Sequence, residues 1–258
     1  DAARGLAQRG RKADLIAANN VLAHVPDTRD FVGGFTELLA AEGVATFEFP
    51  HLMNLIDGVQ FDTIYHEHFF YLSLLAVERI LQSAGLRVFD VETLPTHGGS
   101  LRLFVCHAAA HHVESTRLDE LRAREHGRGL DRVEGYADFG ARVARVKSSF
   151  LAFVAAAEKE GKSIAAYGAA AKGNTFLNYC GVDHSSIAIV YDRNPAKQGK
   201  LTPGSHIPIV SPDEIVALKP DYLVILPWNI AEEVRDSTAI IRTWGGRFVT
   251  AIPDIRVF

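Results

Sequence analysis

Between residues 162 and 251 the chain returns repeatedly to short runs of β-branched, aromatic and small apolar residues, at 162–167, 187–191, 207–210, 222–226 and 247–251. Runs this short, bounded by turn residues and separated by helix-length stretches, bury themselves by pairing side by side in a largely parallel sheet with helices on its faces. The spacing predicts a small Rossmann-like domain over residues 161–258.

The first part of the chain obeys the same logic. DLIAANN at 14–20 reads as a buried parallel strand ending in two amides, and ligands of open α/β sheets bind at such carboxyl ends. Asp27 is expected to cap a helix with apolar positions Phe31, Phe35, Leu38 and Leu39, stopped near Gly43, before a strand at 44–49. Pro50 opens a long connection over 51–64. Ser73 starts a helix that ends at Gly85, and two β-rich segments follow at 86–92 and 100–107. This order is the later half of a doubly wound sheet, over residues 1–110. Residues 111–160 turn charged and read as a helical linker, with Tyr136, Phe139, Val143, Val146, Phe150 and Val154 on one apolar stripe that packs between domains; His111 and His112 read as solvated.

At 258 residues and 48% hydrophobic content the chain suffices for two modest cores. A formal net charge of -4 gives no basic stripe, so nucleic acid is not an expected partner. No apolar run approaches the roughly 20 residues that span a bilayer, and no signal segment opens the chain; no membrane partner is expected, and the location expected is cytoplasmic. Cys106 and Cys180 read as reduced thiols. The chain begins at Asp1, its one methionine is Met53, and residues 1–11 read as the tail of a helix, from which we expect an absent N-terminal part.

Chemistry concentrates in QFDTIYHEHFFY, residues 60–71, where Tyr65, His66, Glu67 and His68 stand in a row between apolar and aromatic side chains. Such groups in a half-buried cleft suit proton transfer. As a metal site the row lacks an HExxH helix or a cysteine pair, and on an extended segment His66 and His68 point one way while Glu67 points the other, so no metal is assigned. His24 follows a strand end and His97 precedes two glycines, and both are expected on the same face. In the second domain the loop Gly168 to Asn174, with Lys172, reads either as an anion site at a helix start or as a tight packing turn. Asp192 stands where a dinucleotide fold grips a ribose. Trp228 and Asn229 read as ligand contacts or as the start of a helix.

Taken together, ANNVLAHVP, FDTIYHEHFFYLS, LPTHGGSLR, YGAAAKGN, LTPGSHIPI and PWN resemble the S-adenosylmethionine-dependent sugar C-methyltransferases, in particular those acting at C-3 of dTDP-linked 4-keto deoxysugars. The resemblance covers essentially the whole chain. It implies part of a class I methyltransferase sheet followed by a Rossmann-like domain that holds the nucleotide sugar, a small-molecule partner. A structural zinc belongs, in that family, to an N-terminal domain whose cysteines this sequence lacks. The sequence also lacks the glycine-rich loop and acidic ribose ligand of the S-adenosylmethionine site, leaving Asn20 as the cofactor-binding candidate. The family's catalytic positions correspond to His24, Tyr65, Glu67 and His68, with His66 given no role. Deprotonation next to a ketone then falls to His68 or Tyr65 as base, with Glu67 and His24 orienting; the substrate contacts implied are His97, Gly168, Lys172, Asn174, Trp228 and Asn229. Two other readings remain: an NAD(P)-linked sugar oxidoreductase or epimerase using Gly168 to Asn174 with Asp192, and a nucleotide-sugar-binding fragment without catalysis.

Overall fold

The computed structural model describes all of residues 1–258. The chain forms two compact units, one of Asp1–Asp57 with His66–Asp138, the other of Gly58–Tyr65 with Phe139–Phe258. No helix in either is long and apolar enough to cross a membrane.

In the first unit the elements run α1 (Ala2–Gln8), β1 (Ala13–Asn19), α2 (Thr28–Leu38), β2 (Leu39–Pro50), α3 (Leu52–Asp57), α4 (Leu74–Ser83), β3 (Leu86–Leu94), β4 (Ser100–His107) and α5 (Thr116–Arg128). The sheet order is β1-β2-β4-β3, with β1 parallel to β2 and β4 antiparallel to both β2 and β3. Phe47, Phe49, Leu101, Leu103 and Val105 are fully buried in its core. The helix starts are local chemistry, as expected: Asp27 accepts the Asp30 amide at 3.0 Å and Ser73 the Ala76 amide at 3.1 Å.

Two expectations are corrected here. The helix after Asp27 ends at Leu38 rather than near Gly43, because Leu39 already pairs with Ala13 in the sheet; the register then shifts so that Leu15 meets Val44. Gly43 lies in this bulge, where a Cβ would stand 2.7 Å from the Ala13 carbonyl oxygen, so its lack of a side chain serves a close strand approach and not a helix stop. The connection after Pro50 holds α3 and a 3-10 turn at Phe61–Thr63. His111 is exposed as expected, but its amide and Nδ1 donate to the Glu42 carboxylate, and His112 stacks half-buried on Phe89.

At the N-terminus of α4, His51 and Glu125 form a buried ion pair. His51 donates from Nε2 to Glu125 Oε1 at 2.8 Å, and the first amides of α4, Leu74 and Leu75, donate to the two oxygens of the same carboxylate at 2.7 and 2.9 Å. Glu125 thereby ties α5 to the α4 N-terminus, where a negative group also meets the favourable end of the helix dipole.

The second unit runs α6 (Phe139–Lys159), β5 (Ile164–Tyr167), α7 (Ala171–Cys180), β6 (Val190–Tyr191), β7 (Ile209–Val210), α8 (Ile215–Leu218), β8 (Tyr222–Ile225), α9 (Ala231–Ser237), β9 (Arg247–Thr250) and β10 (Arg256–Val257). Its six strands lie in the order β10-β9-β8-β5-β6-β7, all parallel neighbours except the β10 edge. The four residues of β5 are all buried: Ile164 and Ala166 pack on one side with Val146, Phe150 and Val154 of α6, Ala165 and Tyr167 on the other with Ile215 and Phe248. A sheet covered on both faces requires such uninterrupted apolar strands, which is why these runs stand out. Of the stripe assigned to residues 111–160, Tyr136 stands outside the helix in a 3-10 turn, while the stripe from Val143 to Val154 faces this core.

Candidate active site

In the first unit the site begins where β1 ends. Asn20 follows with a left-handed backbone (φ 54), donates its amide to the Glu48 carbonyl oxygen at 2.7 Å, and leaves its buried side-chain oxygen without a partner. A turn at Leu22–His24 then presents His24. Because a carbonyl oxygen only accepts, the 2.9 Å contact from His24 Nδ1 to the Glu67 main-chain oxygen fixes the proton on Nδ1. The His24 and His68 rings meet edge-on with centroids 4.8 Å apart, and His68 meets Tyr71 the same way at 5.8 Å. The amides of Phe69 and Phe70 both donate to the Ala23 carbonyl oxygen, at 2.8 and 3.4 Å, so the two histidine-bearing segments are stitched together by main-chain bonds.

Residues 66 and 67 form a turn. The chain bends here instead of running extended, so His66, Glu67 and His68 do not alternate across a strand. His66 and Glu67 are exposed, and it is the carbonyl oxygen of Glu67, rather than its carboxylate, that orients His24. His97 sits exposed at φ 57 in the turn Thr96–Gly98 and makes no ring contact with either histidine.

The second unit contains Tyr65, half-buried, and gathers the remaining residues. Lys172, Gly173 and Asn174, expected in a loop, lie in the first turn of α7, which starts at Ala171 without a side-chain cap. The glycines here are packing positions. Gly168 has φ 95 and a Cβ on it would stand 2.6 Å from Pro227; one on Gly173 would stand 2.9 Å from the Gly168 oxygen and from Leu226. Lys172 donates to Asn229 Oδ1 at 2.7 Å with its ammonium 4.7 Å from the centre of the Trp228 ring, and Trp228 donates from its indole nitrogen to Asp62 Oδ2 at 2.8 Å. Asn174 Oδ1 is buried and unpartnered. Asp192 is engaged internally, accepting from the Ala169 amide, Lys197 and the Asn194 amide, and so ties the β5–α7 loop to the end of β6.

Asp62 is the residue that sequence reading missed. It is 1% exposed, and burial pushes its carboxyl up to about 6, against the lowering effects of the Trp228 hydrogen bond and the Lys172 charge. The same burial holds Lys172 below the usual lysine range, with Asp62 opposing the shift. The signal available was chemical: the N–H of a half-buried tryptophan seeks an acceptor, and Asp62 is the acidic residue set between Phe61 and Ile64 in the stretch that carries the site.

Residues 1–91 match the profile of a methyltransferase domain. Residues 95–253 match the family described as the C-methyltransferase C-terminal domain, and the chain belongs to that C-methyltransferase family, whose methyl donor is S-adenosylmethionine. It is 39% identical over 252 residues to C-methyltransferase NovU of Streptomyces niveus, matching 98% of this chain and 60% of that protein's length. Solved structures overlap slightly: M1.HpyAVI, at 13% identity, TM-score 0.29 and coverage of 43% and 52% of the two chains, and magnesium protoporphyrin IX methyltransferase (ChlM) from Synechocystis PCC 6803 with bound SAH, at 17% identity, TM-score 0.29 and coverage of 40% and 48%. Overlaps of that size carry nothing further. The carboxyl end of β1 fits a polar ligand such as the family's methyl donor, since the Asn20 oxygen is buried there without a partner.

Proposed function

We propose that the chain supplies the acceptor-activating part of a C-methyltransferase that alkylates a nucleotide-activated keto-deoxysugar at the carbon next to its ketone. The observation that carries this reading is the paired His24 and His68, edge to edge at 4.8 Å, with His24 held by the Glu67 carbonyl. A proton next to a ketone is weakly acidic, so its removal needs a positioned base and a donor for the developing enolate oxygen. A ring nitrogen of His68 takes the proton. Tyr65, three positions earlier in the chain, supplies the phenol that partners the base or donates to the enolate oxygen. His24, with its proton fixed on Nδ1, sets the ring orientation of His68. S-adenosylmethionine, when bound, supplies an electrophilic methyl group, and Asn20 is the residue we assign to holding it. Lys172, Asn229 and Trp228, with the uncapped start of α7, are assigned to the sugar nucleotide, whose anionic and aromatic parts they suit. The nucleotide-sugar substrate draws support from the sequence motifs FDTIYHEHFFYLS and YGAAAKGN and from the cation and indole that Lys172 and Trp228 bring together, and the redox alternative is disfavoured by the internal engagement of Asp192.

The test isolates deprotonation. In deuterated water the chain is expected to exchange the C–H next to the ketone of a dTDP-4-keto-6-deoxysugar, followed by NMR, with His68→Asn slowing exchange by at least about a hundredfold. Undiminished exchange in His68→Asn would remove His68 as the base.

A further inference from the structure

Asp62 sits at a cost that its surroundings do not repay. It is 1% exposed, one carboxylate oxygen accepts a hydrogen bond from Trp228, the other has no partner at hydrogen-bond distance, and the backbone amides of Asp62 and Thr63 add only weaker support to the charged form. A carboxylate taken out of water is expensive unless it is fully paired, and an apolar or amide residue there would serve the fold as well or better. Its position explains what it holds. Residues 59–64 wind through consecutive tight turns: the Phe61 amide bonds the Val59 oxygen, Thr63 bonds the Gln60 oxygen through both its amide and its hydroxyl, and the Ile64 amide closes on the Phe61 oxygen at 3.0 Å. Tyr65 follows at once, its Cα about 3.8 Å from that of Ile64.

The wound segment has two anchors in its own unit. Phe61 is the apolar one, its ring 5.0 Å from Tyr179 and 6.1 Å from Phe176 on α7. Asp62 is the polar one, bonded to Trp228 in the turn after β8, while Lys172 of α7 lies over the same indole and is fixed by Asn229. An apolar anchor tolerates sliding and rotation; a hydrogen bond to an indole N–H that is itself clamped by a cation sets direction as well as distance.

We propose that Asp62 is a positioning residue for Tyr65, fixing through Trp228 and Lys172 the segment that ends in the Tyr65 phenol. The proposal rests on the reading of Tyr65 as a reacting group, and its test does not need turnover. The charged group facing Asp62 is Lys172 from α7; Trp228, after β8, faces it as a neutral donor. Loss of the Asp62 charge on acidification, with a midpoint of about 6, therefore loosens this anchor and reaches Tyr65 along three residues of constrained chain.

The experiment is fluorine NMR of the full chain labelled with fluorotyrosine, in which the Tyr65 resonance among the 7 tyrosines is assigned by its loss in Tyr65→Phe. In the unaltered sequence this resonance should move with pH with a midpoint of about 6. The decisive comparison is between variants. Asp62→Asn should change the resonance at neutral pH and remove the Asp62 component of its titration. Trp228→Phe keeps the carboxylate, withdraws the bond that favours its charged form, and should raise the midpoint. If both variants melt cooperatively and leave the resonance and its titration unaltered, the proposal is overturned. Should Asp62→Asn not fold, Trp228→Phe decides alone: a raised midpoint supports the positioning role, an unchanged one ends it. Failure here would leave the deuterium-exchange result for His68 standing, and failure of that exchange would leave this linkage standing.

Discussion

Asp62 makes a stability prediction whose sign is opposite to that of an ordinary surface carboxylate. Burial raises its pKa from 3.8 to about 6, so between those values the folded chain holds a proton that the unfolded chain has released. Its contribution to stability is therefore largest in acid and falls as pH rises through that window, a swing of about 2–3 kcal/mol. Asp62→Asn removes the titration. Denaturant unfolding should show the variant gaining on the unaltered chain by about that amount between mildly acidic and neutral pH, and a stability difference that is flat across the window would contradict it. Glu67 gives the converse case. Its contact with His24 is made by the main chain, so Glu67→Ala should keep deuterium exchange within about threefold, less than 1 kcal/mol of barrier. A hundredfold loss would instead give its carboxylate a direct part.

At the scale of elements, the β5–α7 turn is built on close contact. A methyl group on Gly168 would meet Pro227 at 2.6 Å on a backbone with φ 95, so Gly168→Ala should cost roughly 2–4 kcal/mol from strain and overpacking together. Thermal unfolding measures it, and a loss under 1 kcal/mol would mean that the turn adapts. Glu125→Gln puts an N–H₂ where two amides and His51 all require an acceptor; the expected loss is roughly 2–4 kcal/mol, read from the same melting experiment. What was legible in these elements was local. Ser73 and Asp27 announce their helices because a cap bonds its own chain three residues on, and the strands of the second sheet are readable as runs because both of its faces are covered. The start of β2 at Leu39 was not legible, because it is set by pairing with Ala13 across the sheet. Nor was the Asp62 to Trp228 bond, whose partners lie 166 positions apart, and the ring pair of His24 and His68 was readable only as two histidines near strand ends.

For the whole molecule, the division of the chain places Gly58–Tyr65 with the second unit, although the residues on both sides of it belong to the first. That assignment has an energetic basis in Phe61, which is 5% exposed and buried in the same cluster as Phe150, Phe176 and Leu177. Removing its ring leaves a cavity against α7 and should cost about 3–4 kcal/mol. All the ring partners of Phe61 lie on α7, so the loss is predicted to fall on one unit. In Phe61→Ala, amide hydrogen exchange should quicken in β5, α7 and β8, while β2 and β4, cored by Phe47, Leu101 and Leu103, keep their protection. Uniform acceleration across both sheets would instead show that the chain opens as a single cooperative body, and the segment leading to Tyr65 would then be held by the whole fold and not by its anchors in the second unit.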